Sequence, residues 1–180
     1  MIYEPSEDSF LLRDAAKKYV IGKKVLDLGA GSGIQGISAL KNGAKEVIFS
    51  DINEECIKVL KSKGFKAKVS DLFENIKGKY DLILFNPPYL PKQENEDFET
   101  GRIVCGGKKG DEIIIRFLEN VKDFLNDKGI ILLLVSSLTP MKGIDKILKK
   151  KNFKKDIIAK EKFFMEELYV LRITFNKDFR

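Results

Sequence analysis

Short apolar runs alternate with helical periodicity along almost the whole chain. Residues 24–27, 47–50, 66–70 and 81–85 are compact β-rich runs, and each is followed by a turn signal. The positions of Phe10, Leu11, Asp14 and Ala15 predict an opening helix after Pro5, capped by Ser6 or Asp8. Further helices are predicted over 34–41, stopping near Asn42-Gly43, over 54–63, stopping at Gly64, and over 111–125 and 141–150. A strand at 130–136 and two β segments, around 157–159 and 168–175, complete the pattern, the last two as an antiparallel hairpin. Strands that alternate with helices in this way build a mainly parallel sheet, so the expected class is α/β with a sheet mixed at one edge. Only the stretch of about 90–107 breaks the rhythm. Glu94, Glu96, Asp97 and Glu99 make it too polar for core, and its length suits a functional lid.

Composition narrows the function. A chain of 180 residues, 43% hydrophobic and 33% charged, can bury about 70% of its unfolded surface, which suits one globular domain over 1–180. It has no apolar run of membrane-spanning length and no basic segment leading into an apolar one at the start, so a cytoplasmic protein with no membrane partner is expected. There is no histidine, and Cys56 and Cys105 lack close-spaced partners. Imidazole bases, the usual triads and the usual zinc sites are thereby excluded, no metal is expected, and two reduced thiols are. Residues 141–162 hold nine Lys against Asp145, Asp156 and Glu161, which accounts for the whole net charge of +6. Such a patch can meet RNA or an acidic partner, or simply be a solvated helix face and hairpin edge.

The chemistry sits where strands end. Val25-Leu26-Asp27-Leu28-Gly29-Ala30-Gly31-Ser32-Gly33 is a strand entering a glycine turn before a helix. Gly31, Gly33 and Gly36 satisfy the dinucleotide fingerprint, whereas Asp27, Gly29, Gly31 and Gly33 match the first motif of class I methyltransferases. Asp51 ends the second strand about 20 residues on, placed to accept ribose hydroxyls from either cofactor. Asp71 ends the third, where a carboxyl can accept from an adenine amine while Leu72 packs on the ring. Three acidic strand ends in succession line one rim of a parallel sheet. The fourth apolar strand runs into Asn86-Pro87-Pro88-Tyr89. Two prolines hold the backbone extended and carry no N–H, so the Asn86 side-chain oxygen and the Pro87 carbonyl are offered as acceptors beside the aromatic face of Tyr89. That suits a planar NH2 group, an amide or an exocyclic amine.

These residues together resemble the HemK/PrmC family of S-adenosylmethionine-dependent methyltransferases, in its short archaeal and eukaryotic branch. The resemblance runs through residues 3–12, the glycine turn, Ser50-Asp51-Ile52-Asn53, Asp71-Leu72, Phe85-Asn86-Pro87-Pro88-Tyr89, Gly106-Gly107, Gly110 and Glu166-Glu167-Leu168-Tyr169-Val170-Leu171. It implies a Rossmann-like class I fold, seven strands in a mixed sheet with helices on both faces. It implies cofactor contacts from Ser9, Asp27, Gly29, Gly31, Gly33, Asp51, Ile52, Asp71, Leu72 and Asn86, with Asn86, Pro87 and Tyr89 at the reaction. The implied acceptor is the glutamine amide of the Gly-Gly-Gln loop in a translation release factor, with protein lysine as a second acceptor. Relatives carry a small zinc-binding activator subunit on the third, edge strand. Many have Glu at the position of Asp27, and the segment 102–105 departs from their usual aromatic or small residues. The rival activity is adenine-N6 methylation of DNA or RNA, which would require a base to be taken out of its stack; direct nucleic-acid contact is otherwise not required. A non-catalytic nucleotide-binding protein is the alternative from another class, and the intact Asn86 segment speaks against it.

Overall fold

The structure, a computed structural model, describes residues 5–88 and 110–176. The order is α1 (Glu7–Ala16), β1 (Lys24–Leu28), α2 (Ile34–Lys41), β2 (Glu46–Asp51), α3 (Glu54–Ser62), β3 (Ala67–Val69), β4 (Tyr80–Phe85), α4 (Glu112–Asn120), β5 (Leu125–Ser136), α5 (Met141–Lys150), β6 (Phe153–Lys162) and β7 (Glu167–Phe175). The seven strands form one sheet in the order β3-β2-β1-β4-β5-β7-β6. β1 to β5 are parallel, and β7 runs antiparallel to both β5 and β6. The chain therefore winds outward from β1 to β3, then returns to start again at β4. Between the carboxyl ends of β1 and β4 lies the switch point where open α/β folds bind ligands.

Alternation along each buried strand feeds two cores. Leu26, Leu28, Ile83, Phe85, Ile131 and Leu133 pack with Ile114, Phe117 and Leu118 of α4 and Ile144 and Leu148 of α5. On the other face Val25, Leu82, Leu84, Leu132 and Leu134 pack with Leu12 and Ala16 of α1, Ala39 of α2 and Ile57 and Leu60 of α3. Strands buried on both faces are what near-continuous apolar runs such as 82–85 require. Phe85, Phe117, Phe73 and Phe124 form a chain of ring contacts with centroids 4.4 to 5.6 Å apart, which joins the residue before Asn86 to the residue after Leu72.

The mixed sheet, the closing hairpin and the edge position of the third strand agree with the sequence. Two boundaries differ. The helix expected over 111–125 gives way to a 3-10 turn at Val121–Phe124, and β5 begins at Leu125, five residues before the expected start. The polar stretch Asn126-Asp127-Lys128-Gly129 reads as a turn, but Leu125 pairs with Tyr80 across an irregularity in the ladder, and Asn126 Nδ2 donates to Asp81 Oδ1 at 2.7 Å. β6 is also far longer than 157–159. It is an edge strand whose backbone pairs with β7 while its many lysines face solvent, so its side chains hide the strand from a hydrophobic pattern. No helix among the described residues is long and apolar enough to cross a membrane.

Candidate active site

The glycine turn is shaped by two carboxylates. Gly31 has φ +50 in a left-handed conformation, and its N–H donates to Asp51 Oδ2 at 2.8 Å, while Asp51 Oδ1 accepts from the Asn53 N–H, also at 2.8 Å. Asp51 thus ties the end of β2 to the turn, and each of its oxygens retains a second acceptor direction. The helix that follows is capped by Asn53, whose side chain accepts from Glu55, so Asp51 is not spent on capping. At Gly36 a Cβ would lie 2.3 Å from Phe49 Cε1, so only glycine lets α2 sit this close to β2.

Asp27 lies inside the protein, 1% exposed, and its Oδ2 accepts from the Gly36 N–H at 2.8 Å. Burial pushes its pKa up to about 8, opposed by the Gly36 N–H and reinforced by the charge of Asp51. This bond bears on the two owners of the turn. A dinucleotide pyrophosphate needs the free N–H groups at the start of α2, but Asp27 occupies one of them and Asp51 holds the turn beside it. Asp51 disfavours a polyphosphate there, and a cation entering beside Asp27 favours its ionised form. The residues therefore fit S-adenosylmethionine, whose ammonium and sulfonium are positive, better than a nicotinamide dinucleotide.

Across the switch point, Leu28 pairs with Phe85, which sets Gly29 beside Asn86. Asn86 Nδ2 donates to Asp8 Oδ2 at 3.0 Å, and Pro87 is buried. Asn86 Oδ1, by contrast, is buried with no hydrogen-bond partner among the described residues. Gln35 Oε1 and Ser50 Oγ share that condition, as do Glu166 Oε1 and Arg172 Nε of the closing hairpin, although Gln35 Nε2 donates to the Ser9 carbonyl at 2.9 Å. An unsatisfied buried acceptor costs about 1 to 3 kcal/mol, and Asn86 Oδ1, at the switch point of the sheet, is placed where a ligand can satisfy it.

The nucleoside side is more open. Ile52 is 65% exposed at the rim. Leu72 takes φ +49, rare for a residue with a Cβ, and its carbonyl accepts from Ser70 Oγ at 2.9 Å. Asp71 pairs with Arg116 of α4 at 3.0 Å, and both line a cavity of about 300 Å3 with Leu72, Phe73 and Phe124. A larger cavity of about 550 Å3, between Asp145, Lys149 and Asn176, sits at the amino end of the parallel strands, away from this chemistry. Among the described residues no group of His, Cys, Asp and Glu side chains could hold a metal.

The structure thus brings Ser9, Asp27, Gly29, Gly31, Gly33, Asp51 and Asn86 to one crevice, with Ile52, Asp71 and Leu72 at its outer end. Tyr89, Cys105, Gly106, Gly107 and the expected lid at 90–107 lie outside the described residues. Sequence reasoning passed over three participants: Asp8, read only as a cap, Gln35, and Arg116. Asp8 carried one usable signal, since a second acid in Glu7-Asp8-Ser9 is not needed to cap α1; Ser6 holds the cap position.

The chain is similar to known proteins in sequence and in fold. The profile of the methyltransferase small domain matches residues 7–165. A Methanocaldococcus jannaschii protein named as a protein N5-glutamine methyltransferase is 41% identical over 178 residues, covering 94% of this chain and 90% of that one. The human methyltransferase HEMK2 is 30% identical over 191 residues, covering 96% and 89%. Among solved structures, a chain of the E. cuniculi Mtq2–Trm112 complex, responsible for methylation of the eRF1 translation termination factor, superposes with a TM-score of 0.79 at 28% identity, covering 97% of this chain and 99% of its own.

Proposed function

Because the chain belongs to the methyltransferase small domain family, in the branch of the HemK-type protein N5-glutamine methyltransferases, we propose that it transfers a methyl group from S-adenosylmethionine to the side-chain amide nitrogen of the glutamine in a release factor's Gly-Gly-Gln loop. The observation that carries this reading is Asn86 Oδ1, a buried acceptor without a partner among the described residues, next to a crevice rimmed by carboxylates. Bound S-adenosylmethionine supplies an electrophilic methyl on a sulfonium. Asp27 and the glycine turn hold its amino-acid part, Asp51 the ribose, and Asp71 with Leu72 and Ile52 the adenine. Asn86 Oδ1 and the Pro87 carbonyl accept the two N–H groups of the glutamine amide. Held this way, the nitrogen would lose conjugation as it attacks the methyl; the S–CH3 bond would break as the N–CH3 bond forms, the thioether S-adenosylhomocysteine leaving with the electron pair. The methylated amide would shed its extra proton to water, so no strong base is needed. That agrees with a chain that has no histidine.

The same reading gives the chain a small zinc-binding activator subunit. Among the described residues β3 pairs only with β2, and Lys68 and Val69 are exposed on it, so its outer backbone groups can accept another strand. Support comes from the Mtq2–Trm112 complex, in which a chain of this fold has a partner. The test is incubation with methyl-labelled S-adenosylmethionine and, separately, release factor, a histone-like protein, tRNA and DNA, with and without the activator. Label on the release factor that disappears when its loop glutamine is changed is the expected result. Label in nucleic acid alone means adenine methylation and overturns the proposal.

A further inference from the structure

Asp8 stands on the first turn of α1, 78 residues before Asn86, and is 5% exposed. Its two oxygens point to different places. Oδ1 accepts from donors of its own turn, Ser6 Oγ at 2.8 Å, Ser9 N–H at 2.6 Å and Ser9 Oγ at 3.2 Å. Oδ2 reaches across to Asn86 Nδ2 at 3.0 Å. An ionised carboxylate can only accept, so the half of the carboxamide facing it must be the NH2 group, and the oxygen is left as the atom without a partner among the described residues. The charge does more than select the rotamer. A negative group on the NH2 end draws amide resonance toward the oxygen, which makes Oδ1 a stronger acceptor.

We infer that Asp8 is a positioning residue, which fixes the flip of the Asn86 carboxamide so that an acceptor, and not a donor, meets the substrate. The inference rests on the reading of Asn86 as the group that holds the substrate nitrogen, and it sets a requirement on that substrate: its reacting group must bring N–H donors. With the carboxamide reversed, Nδ2–H would face the nitrogen and repel its protons. Asp8 is tied in turn to α2, since the Ser9 carbonyl takes the Gln35 amide, so the cofactor side and the acceptor side are set by one short turn.

Two readouts test this, one of them independent of any substrate. In an 15N spectrum of the full chain, the Asn86 side-chain amide pair, assigned by its loss in Asn86→Ala, should be shifted downfield and protected from exchange, and should lose both properties in Asp8→Ala. In turnover, Asp8→Ala should lower kcat roughly 100-fold with KM for S-adenosylmethionine changed only a few-fold, because the damage is a misplaced contact. Asp8→Asn keeps an acceptor without its charge and should recover part of the loss. The double variant Asp8→Ala/Asn86→Ala should be no slower than Asn86→Ala alone. Losses that multiply in the double variant, or a lowered Tm with normal kcat per folded molecule, would show that Asp8 only caps α1. If the wild-type chain methylates no Gly-Gly-Gln protein, the proposed function fails, and the spectrum still decides whether Asp8 holds Asn86.

Discussion

At the β1–β4 end of the crevice, the buried Asp27 takes the Gly36 N–H, and the buried Asp8 takes the side-chain N–H of Asn86, 78 residues away. At the β3 end, Asp71 meets Arg116 across an ion pair whose side chains are 34% and 53% exposed, and Ile52 stands in solvent. The two ends carry similar residue types in different dielectric surroundings. A buried hydrogen bond to a carboxylate fixes geometry and is weakly screened, whereas a half-exposed ion pair is worth little and yields readily. Methyl transfer needs placement to within a fraction of an ångström, while adenine needs a surface to lie on. The molecule has spent its buried polar groups where geometry decides the rate.

If that contrast holds, the largest effect should come from the pinned end. Asn86→Ala should lower kcat on the order of 10² to 10³, the loss typical of one preorganised polar contact, with a smaller loss of cofactor affinity. Folding should survive, since the residue is a partly buried rim group and not a core one. Rapid-quench turnover and a melting curve on the same preparation check both halves. A lowered Tm with normal kcat per folded molecule would reduce Asn86 to a shaper of the turn before Pro87.

Between the two ends stands Asp51, and its removal should come next. Asp51→Ala should weaken S-adenosylmethionine binding by roughly 1.5 to 3 kcal/mol through the lost charge-assisted bonds to ribose. Because Asp51 also holds the Gly31 and Asn53 N–H groups, Asp51→Asn, which keeps one acceptor, should retain part of that affinity. Calorimetry with S-adenosylmethionine and with NADH separates the cofactors, and tight NADH binding by the wild type would return the glycine turn to the dehydrogenases.

What the sequence disclosed follows the same division. The parallel strands, the glycine turn and the acidic strand ends were legible because each is a local signal: an apolar run, a Gly-x-Gly, a carboxyl at a strand end. Asn86 was legible for the same reason, being adjacent to two prolines. Its partner was not. Asp8 and Asn86 are 78 residues apart, and Asp71 and Arg116 are 45 apart; such pairs are made by helices folding over a sheet and leave no periodicity. β6 was legible only at its apolar centre, Ile157 to Ala159, because its charged flanks pair through the backbone and carry no hydrophobic signal.

Asp27 offers a pH readout of the buried end. Its value in the folded chain, about 8, lies above the ordinary 3.8, so the charged form is the one that burial penalises. The ligand-free protein is therefore most favoured, in this respect, at low pH, and loses stability as pH rises from about 4 toward about 8. Asp27→Asn should remove that slope and leave the ligand-free variant more stable than the wild type at pH 8, as denaturant curves at several pH values would show. Binding should move the other way. A cationic cofactor prefers ionised Asp27, so wild-type affinity should rise with pH up to about 8 with uptake of the cofactor releasing a proton, and the variant should bind weakly at every pH. An unchanged affinity in Asp27→Asn would detach this carboxyl from the cofactor.

The smallest effect is expected at the exposed end. Arg116→Ala removes the partner of Asp71 but leaves the Asp71 carboxyl and the Phe73–Phe117–Phe124 packing in place. A half-exposed pair contributes about 0 to 1 kcal/mol, so Tm should fall slightly and the KM for S-adenosylmethionine should change less than about 5-fold, with kcat near normal. Added salt should shrink even that difference, since it screens exposed charges. Freed of Arg116, Asp71 can turn toward the adenine amine, and a modest gain in affinity is as consistent with a loosely held end as a modest loss. A 100-fold fall in kcat would instead show that α4 and its arginine hold the reacting groups in line, and the contrast between a fixed end and a yielding one would collapse.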